Sequence, residues 1–315
     1  MAEETAWSRL IRNVEAVILG KRSVVETVVA AVLARGHVLL EDVPGVGKTM
    51  LARALARSID GSFRRIQCTP DLLPSDVTGA SIYNPRSLAF EFRPGPLFAS
   101  IVLADEVNRA TPRTQSAFLE AMEERQVSVD GHTYPLPEPF FLIATQNPIE
   151  LAGTFPLPEA QLDRFLMRLS LGYPDEATEA ALILAQRERH PIEDLRPVLD
   201  LQRLKEAQAA VLRIHVHESM AGYVQRVVAE TRRHPHALYG ASPRGALALT
   251  RAAQALALAR SERYVTPDHV KRLASSVLAH RIVVKPRSRV QGIDGTKVVE
   301  EAVKRVEVPI DLPRS

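Results

Sequence analysis

The chain has 315 residues, 46% of them hydrophobic and 24% charged, an ordinary balance for a soluble protein long enough to bury a core in one large domain or two modest ones. Lys and Arg number 40 against 37 Asp and Glu, a formal charge of +3, which gives no argument for nucleic acid. Cys68 is the only cysteine, so an intrachain disulfide is excluded, and the residue reads as an inert thiol in a reducing compartment.

The opening "MAEETAWSRLIRN" carries no apolar signal-peptide core. No run reaches about 18 apolar residues without a charge, so no membrane span is expected and the cytoplasm is the default location. Residues 8–36 show apolar positions at helical spacing and predict two helices broken near Gly20. "HVLLE" (37–41) is a short apolar run between Gly36 and a Pro/Gly turn, the pattern of a buried strand. "KTMLARALARSI" then resumes helical spacing. Strand, glycine loop and helix is the context a phosphate-binding loop requires.

Four further strands are predicted, in "FRRIQ" (63–67), "SIVLAD" (100–105), "FFLIATQN" (140–147) and "RFLMRLSLG". An amphipathic helix with Pro112 near its start fills 112–126. Strands alternating with helices indicate a parallel α/β sheet covered on both faces over residues 1–172. Two insertions interrupt it. Residues 68–99 are too long for an ordinary loop and hold a hairpin around "NPRS". Residues 127–134, "VSVDGHTY", read as a second hairpin whose Asp130-Gly131 signals a type I′ turn. From 173 to 285 the pattern is helical throughout, hence a separate all-α domain, and the tail 286–315 is left unplaced. Nine histidines, including the pairs His215/His217 and His234/His236, lack neighbouring acids or cysteines at ligand spacing and are read as structural.

The chemistry starts from "LLEDVPGVGKTM" (39–50). The backbone N–H groups of Gly45, Val46, Gly47 and Lys48 can wrap a β-phosphate at a helix N-terminus. Lys48 supplies charge to the β- and γ-phosphates, and Thr49 a hydroxyl to Mg²⁺. Pro44 and Met50 complete the stretch in contact with nucleotide. Asp42 stands where the GxxxxGK[ST] pattern has its first glycine. Aspartate tolerates positive φ, and its carboxylate must point away from the phosphates, because repulsion at 4 Å costs about 4 kcal/mol at surface-like dielectric. Replacing it with glycine is therefore expected to leave ATP binding nearly unchanged. "IVLADEVNRA" delivers two carboxylates to the same sheet edge: Asp105 for the Mg²⁺ shell and Glu106 to polarise the attacking water. Asn147, ending "ATQN", is placed to sense the γ-phosphate or the water. Gln67, at the end of the second strand, offers a link to Glu106.

In this order "DVPGVGKT", "VLADEVNRA", "ATQNP", "PLPEAQLDRF" and "ASPRGAL" resemble the MoxR family of AAA+ ATPases, over about residues 10–285. The resemblance implies a P-loop NTPase sheet sandwiched by helices and followed by an all-α lid. It implies an arginine finger at Arg164 acting on a neighbouring subunit's ATP, a sensor-2 arginine at Arg244, and backbone contacts to adenine from Ile18 and Gly20. Arg168 is a fallback finger and Arg109 a second interface arginine. Asp42 matches an acid common at that position. The 68–99 segment matches the helix-2 insert and 127–134 the pre-sensor-1 hairpin. The family assembles into hexameric rings of chaperone-like remodellers, often with a partner carrying a von Willebrand factor A domain.

Two alternatives remain open on sequence. One is a DNA-acting motor, although the hairpin carries Asp130 and His132 and no Lys or Arg at its tip. The other is a nucleotide-switched scaffold with little turnover, against which Glu106 and Arg164 both count.

Overall fold

The computed structural model describes residues 5–147, 153–185 and 191–309. Helices α1 (Ala6–Glu15) and α2 (Arg22–Leu33) are separated at Gly20, as the spacing predicts, where φ is +71. Strand β1 (Val38–Glu41) leads through the glycine loop into α3 (Lys48–Ser58) and then β2 (Phe63–Gln67). The first insertion follows as a short helix, α4 (Pro74–Thr78), and a hairpin of β3 (Gly79–Asn84) and β4 (Ala89–Pro94), with Asn84 opposite Ala89. Next come β5 (Ile101–Asp105) and α5 (Pro112–Glu124), the latter capped by the Thr111 side chain. Strands β6 (Gln126–Val129) and β7 (His132–Pro135) form the second hairpin. Asp130 and Gly131 at its turn have φ of 52 and 76, the two positive values a type I′ turn requires. Strand β8 (Phe141–Gln146), the short α6 (Glu159–Leu162) and β9 (Met167–Leu169) complete the α/β part.

The five core strands run parallel in the order β2-β5-β8-β1-β9. Side chains alternate between faces along each strand. Leu40, Ile101, Leu103 and Ile143 therefore join the core formed with α1, α2 and α3. Leu39, Val102, Ala104, Leu142 and Ala144 join a second core built on Phe118 and Met122 of α5. Double burial explains why these strands read as unbroken apolar runs.

The second part contains α7 (Glu176–Ala185), α8 (Leu201–Val211), α9 (Glu218–Arg233), β10 (Ala237–Tyr239), α10 (Pro243–Ala259), α11 (Pro267–Leu278), β11 (Val283–Val284), α12 (Pro286–Val290) and α13 (Gly295–Arg305). It is not wholly helical, because β10 and β11 pair antiparallel. The segment the sequence left unplaced supplies α13, capped by Asp294 and burying Val298, Val299 and Ala302 against α9 and α11. This helical part packs along α2: Gln208 donates to the Val32 carbonyl at 2.8 Å, and Arg272 and Arg260 reach Glu26 at 2.7 and 3.3 Å.

Candidate nucleotide-binding site

All five strands point the same way, so their exits line one edge, where ligands of open α/β sheets bind. The glycine loop leaves β1, Asn147 follows β8, Asp105 and Glu106 end β5, Gln67 ends β2, and Ser170 to Gly172 follow β9. The acidic strand is not the direct neighbour of β1, because β8 lies between them and puts Asn147 between loop and acids. Pro148 of the "ATQNP" motif lies outside the described residues.

Gly45 and Gly47 have φ of 86 and 95, conformations that glycine adopts without penalty. Gly47 caps α3, whose first two residues are Lys48 and Thr49, and Pro44 sits in the turn before them. The Lys48 ammonium donates to the Asp42 and Val43 carbonyls at 2.7 and 3.1 Å. Burial lowers its pKa, while Asp42, Asp105 and Glu106 work in the opposite direction. Both predicted carboxylates thus act on the loop lysine. Beside the loop lies a cleft of about 210 Å³, lined by Ile18, Gly45, Val46, Gly47 and Met50 and closed by Gly172 and Pro174. Gly20 turns the chain at its margin, and any side chain there would meet the Thr178 hydroxyl at 2.9 Å.

Asp42 does not use the left-handed conformation that the first consensus glycine permits; it is absent from the positive-φ residues. Its carboxylate turns away from the loop, as expected. It is buried and accepts from the Ser170 hydroxyl at 3.0 Å and from the Leu171 and Gly172 N–H groups at 2.5 and 2.9 Å.

At the acidic pair, Thr145 is a residue the sequence reading missed. Its hydroxyl, fully buried, donates to Asp105 Oδ1 at 2.6 Å and accepts from the Glu106 N–H at 2.8 Å. Its signal was its place two residues before Asn147, on the same face of β8. Arg65 was also missed. It donates to Asp105 Oδ2 through Nε at 3.0 Å and Nη2 at 2.6 Å, and to Gln67 Oε1 at 2.7 Å. Gln67 in turn donates to Glu106 Oε2 at 2.8 Å, which also faces Arg109 at 3.3 Å. Glu106 itself lies in the left-handed region, φ 57 and ψ 50, a strained conformation that surrounding contacts must hold. Cys68 is buried, and burial with Asp105 and Glu106 pushes its thiol up to about 12.

The two family arginines lie elsewhere. Arg164 Nε reaches Glu123 Oε2 at 3.0 Å, and Arg244 reaches Glu123 Oε1 at 3.4 Å and Asp163 Oδ2 at 3.6 Å. Both line a cleft of about 470 Å³ together with Arg125 and Arg251. Arg281 anchors this corner. Its side chain, 3% exposed, binds Asp163 Oδ1 at 2.6 Å and the Phe165 carbonyl at 2.8 Å. Arg168 is tied to Glu41 at 3.2 Å within the sheet.

The two inserted hairpins touch. Phe92 of β4 stacks on Tyr134 of β7, with ring centroids 3.8 Å apart and planes 13° apart. Ile82, Tyr83, Leu88 and Phe90 of the first hairpin are exposed.

Comparison with known proteins gives a consistent result. The profile of the "ATPase family associated with various cellular activities (AAA)" matches residues 37–167, and that of the AAA lid domain matches 229–306, through α13. The YeaC protein of Bacillus subtilis is 51% identical, covering 96% of this chain and 94% of its own. Chaperone MoxR1 of Mycobacterium tuberculosis is 41% identical over 98% of this chain and 84% of its own. A crystal structure from Cytophaga hutchinsonii superposes with a TM-score of 0.89 at 36% identity, covering 96% of this chain and 95% of that one.

Proposed function

The chain belongs to the MoxR family of AAA+ ATPases, and from that premise we propose that it hydrolyses ATP with Mg²⁺ to remodel partner proteins as a ring of identical subunits. The carrying observation is the convergence of Lys48 with Asp105 and Glu106 at one sheet edge, beside a cleft bordered by Ile18 and Met50.

The cleft suits a flat, largely apolar base, and the N–H groups of the loop suit its phosphates. Among the described residues no group of three or more His, Cys, Asp or Glu could hold a metal by itself. That suits Mg²⁺, which takes one or two protein oxygens and leaves its other positions to phosphate and water. Thr49 and Asp105 would hold the ion, which neutralises charge on the β- and γ-phosphates. Thr145 orients Asp105 through its short hydroxyl bond and fixes the Glu106 backbone. Glu106 accepts a proton from the attacking water, and Asn147 orients that water or the γ-phosphate.

Glu106 is restrained by Gln67 and Arg109, so its release is one step at which turnover can be controlled. Arg164 and Arg244 share a carboxylate in a different cleft, which supports their serving the ATP of a neighbouring copy. A hexamer, a partner with a von Willebrand factor A domain and a cytoplasmic site of action follow from the family resemblance. The stacked hairpins, with their exposed apolar tip, are the surface offered to that partner. Lys48→Ala abolishes ATP binding in this reading, and Glu106→Gln binds ATP without turnover. Unchanged affinity in the first variant or normal hydrolysis in the second defeats the assignment.

A further inference from the structure

The geometry points to Asp42 as a positioning residue that sets the base-binding wall of the nucleotide cleft from within the phosphate loop. This rests on the nucleotide reading above and adds a role to a residue it left idle.

Three observations meet here. First, the carboxylate is buried, and one oxygen, Oδ2, collects the Ser170 hydroxyl and the Leu171 and Gly172 N–H groups. A carboxylate held by two backbone N–H donors is a strong, directional anchor. Second, those donors belong to the chain leaving β9, and Gly172, with φ +63, lines the same cleft as Gly45, Gly47 and Ile18. Third, the same stretch leads into α7 and is fastened again by Lys21, whose ammonium donates to the Tyr173 carbonyl at 2.7 Å. The Ser170–Tyr173 stretch at the cleft is therefore tied by two residues, Asp42 in the phosphate loop and Lys21. The Asp42 carbonyl also accepts from Lys48, so a single residue joins the phosphate cradle to the wall and to the start of the lid.

A glycine at this position keeps the loop's backbone but loses the anchor, so, contrary to the expectation from sequence, ATP binding should not survive the change intact. Gly172 and its neighbours are then free to drift, and the cleft loses its defined width. The phosphates are bound by N–H groups and Lys48, which the change does not touch. Loss of Asp42 should thus weaken recognition of the base and spare recognition of the phosphates. Electrostatics predicts the opposite trend, because removing a negative charge beside the loop favours any polyanion.

The test is equilibrium binding, by calorimetry on the full chain, of a non-hydrolysable ATP analogue and of inorganic tripolyphosphate. The wild type binding neither contradicts the nucleotide reading itself, independently of Asp42. With the wild type binding both, Asp42→Ala is expected to lose roughly tenfold or more in affinity for the ATP analogue, the scale of one lost hydrogen bond to a charged group, with tripolyphosphate unchanged or tighter. Asp42→Asn, which keeps one acceptor oxygen, lies between. Gly172→Ala, strained at positive φ, reproduces the selective loss from the wall side, and combining it with Asp42→Asn is less than additive. Equal weakening of both ligands, or unchanged ATP affinity in a folded Asp42→Ala chain, overturns the inference.

Discussion

Arg164 and Arg244 meet on one carboxylate, that of Glu123, although they come from opposite sides of the boundary between the α/β part and the helical lid. Asp163 and the buried Arg281 brace the same corner. Held together, the two arginines form a two-cation edge, which in the proposed reading faces the γ-phosphate of a neighbouring copy. Arg164→Ala and Arg244→Ala are each expected to keep nucleotide affinity in the isolated subunit and to lose ATPase turnover by about 10³-fold, the lower end of arginine-finger effects. Steady-state phosphate release together with nucleotide titration checks this. Loss of affinity by the isolated Arg244→Ala subunit would mean that the residue serves its own site.

Asp163 holds this edge against Arg281, whose side chain is 3% exposed. Asp163→Ala leaves a buried cation without its carboxylate and is expected to cost about 3 kcal/mol, the scale of a broken buried pair. Chemical denaturation measures it, and a loss under about 1 kcal/mol would place the pair among exposed bridges instead.

Arg65 binds the carboxylate assigned to the metal. With Asp105 as the proposed Mg²⁺ ligand, the ion and Arg65 would compete for it, and Arg65→Ala should lower the Mg²⁺ concentration for half-maximal hydrolysis severalfold. A Mg²⁺ titration at saturating ATP reads this directly. An unchanged midpoint shows that Arg65 and the ion do not meet.

Acid should destabilise the fold through its histidines. His37 accepts from the Leu142 N–H at 3.0 Å and faces the Met122 carbonyl at 3.1 Å, so the folded chain keeps it neutral. Burial, aided by Arg125, takes its pKa from 6.5 down to about 3. Burial and then Arg281 move His280 in the same direction. Below pH 6.5 the unfolded chain takes up protons that the folded chain refuses, so stability falls as pH drops from about 6.5 towards 3. Denaturation midpoints across this window should fall steadily, and His37→Gln, which retains a donor and an acceptor, should flatten the slope. A midpoint independent of pH between 6.5 and 4 contradicts the assignment.

What was legible in the sequence follows physical range. Strands β1, β5 and β8 were visible because burial on both faces makes them continuous apolar runs, and the Asp130-Gly131 turn because only a few residues tolerate its φ values. The loop, Asp105 and Glu106 were visible because they are contiguous in the chain. Thr145 and Arg65 were not, because each gains its meaning from a partner about 40 residues away across the sheet. Asp42 shows the same limit more sharply. The chain alone indicates where its carboxylate must not point, and only the fold shows that it points to Gly172, 130 positions on. The end of the lid escaped because β11, the short α12 and the turn before Asp294 separate α13 from the pattern of α11.

An ATPase site shared between copies of the chain can be read out by mixing inactive subunits. Glu106→Gln keeps its arginines but lacks the proposed base; Arg164→Ala keeps that base but lacks the proposed finger. Each alone should be inactive. Mixed in equal amounts with ATP and Mg²⁺, they should recover a measurable fraction of wild-type phosphate release, from sites pairing an intact Glu106 with an intact Arg164 of the neighbouring copy. Mixtures that form rings and stay as inactive as the separate variants would contradict it.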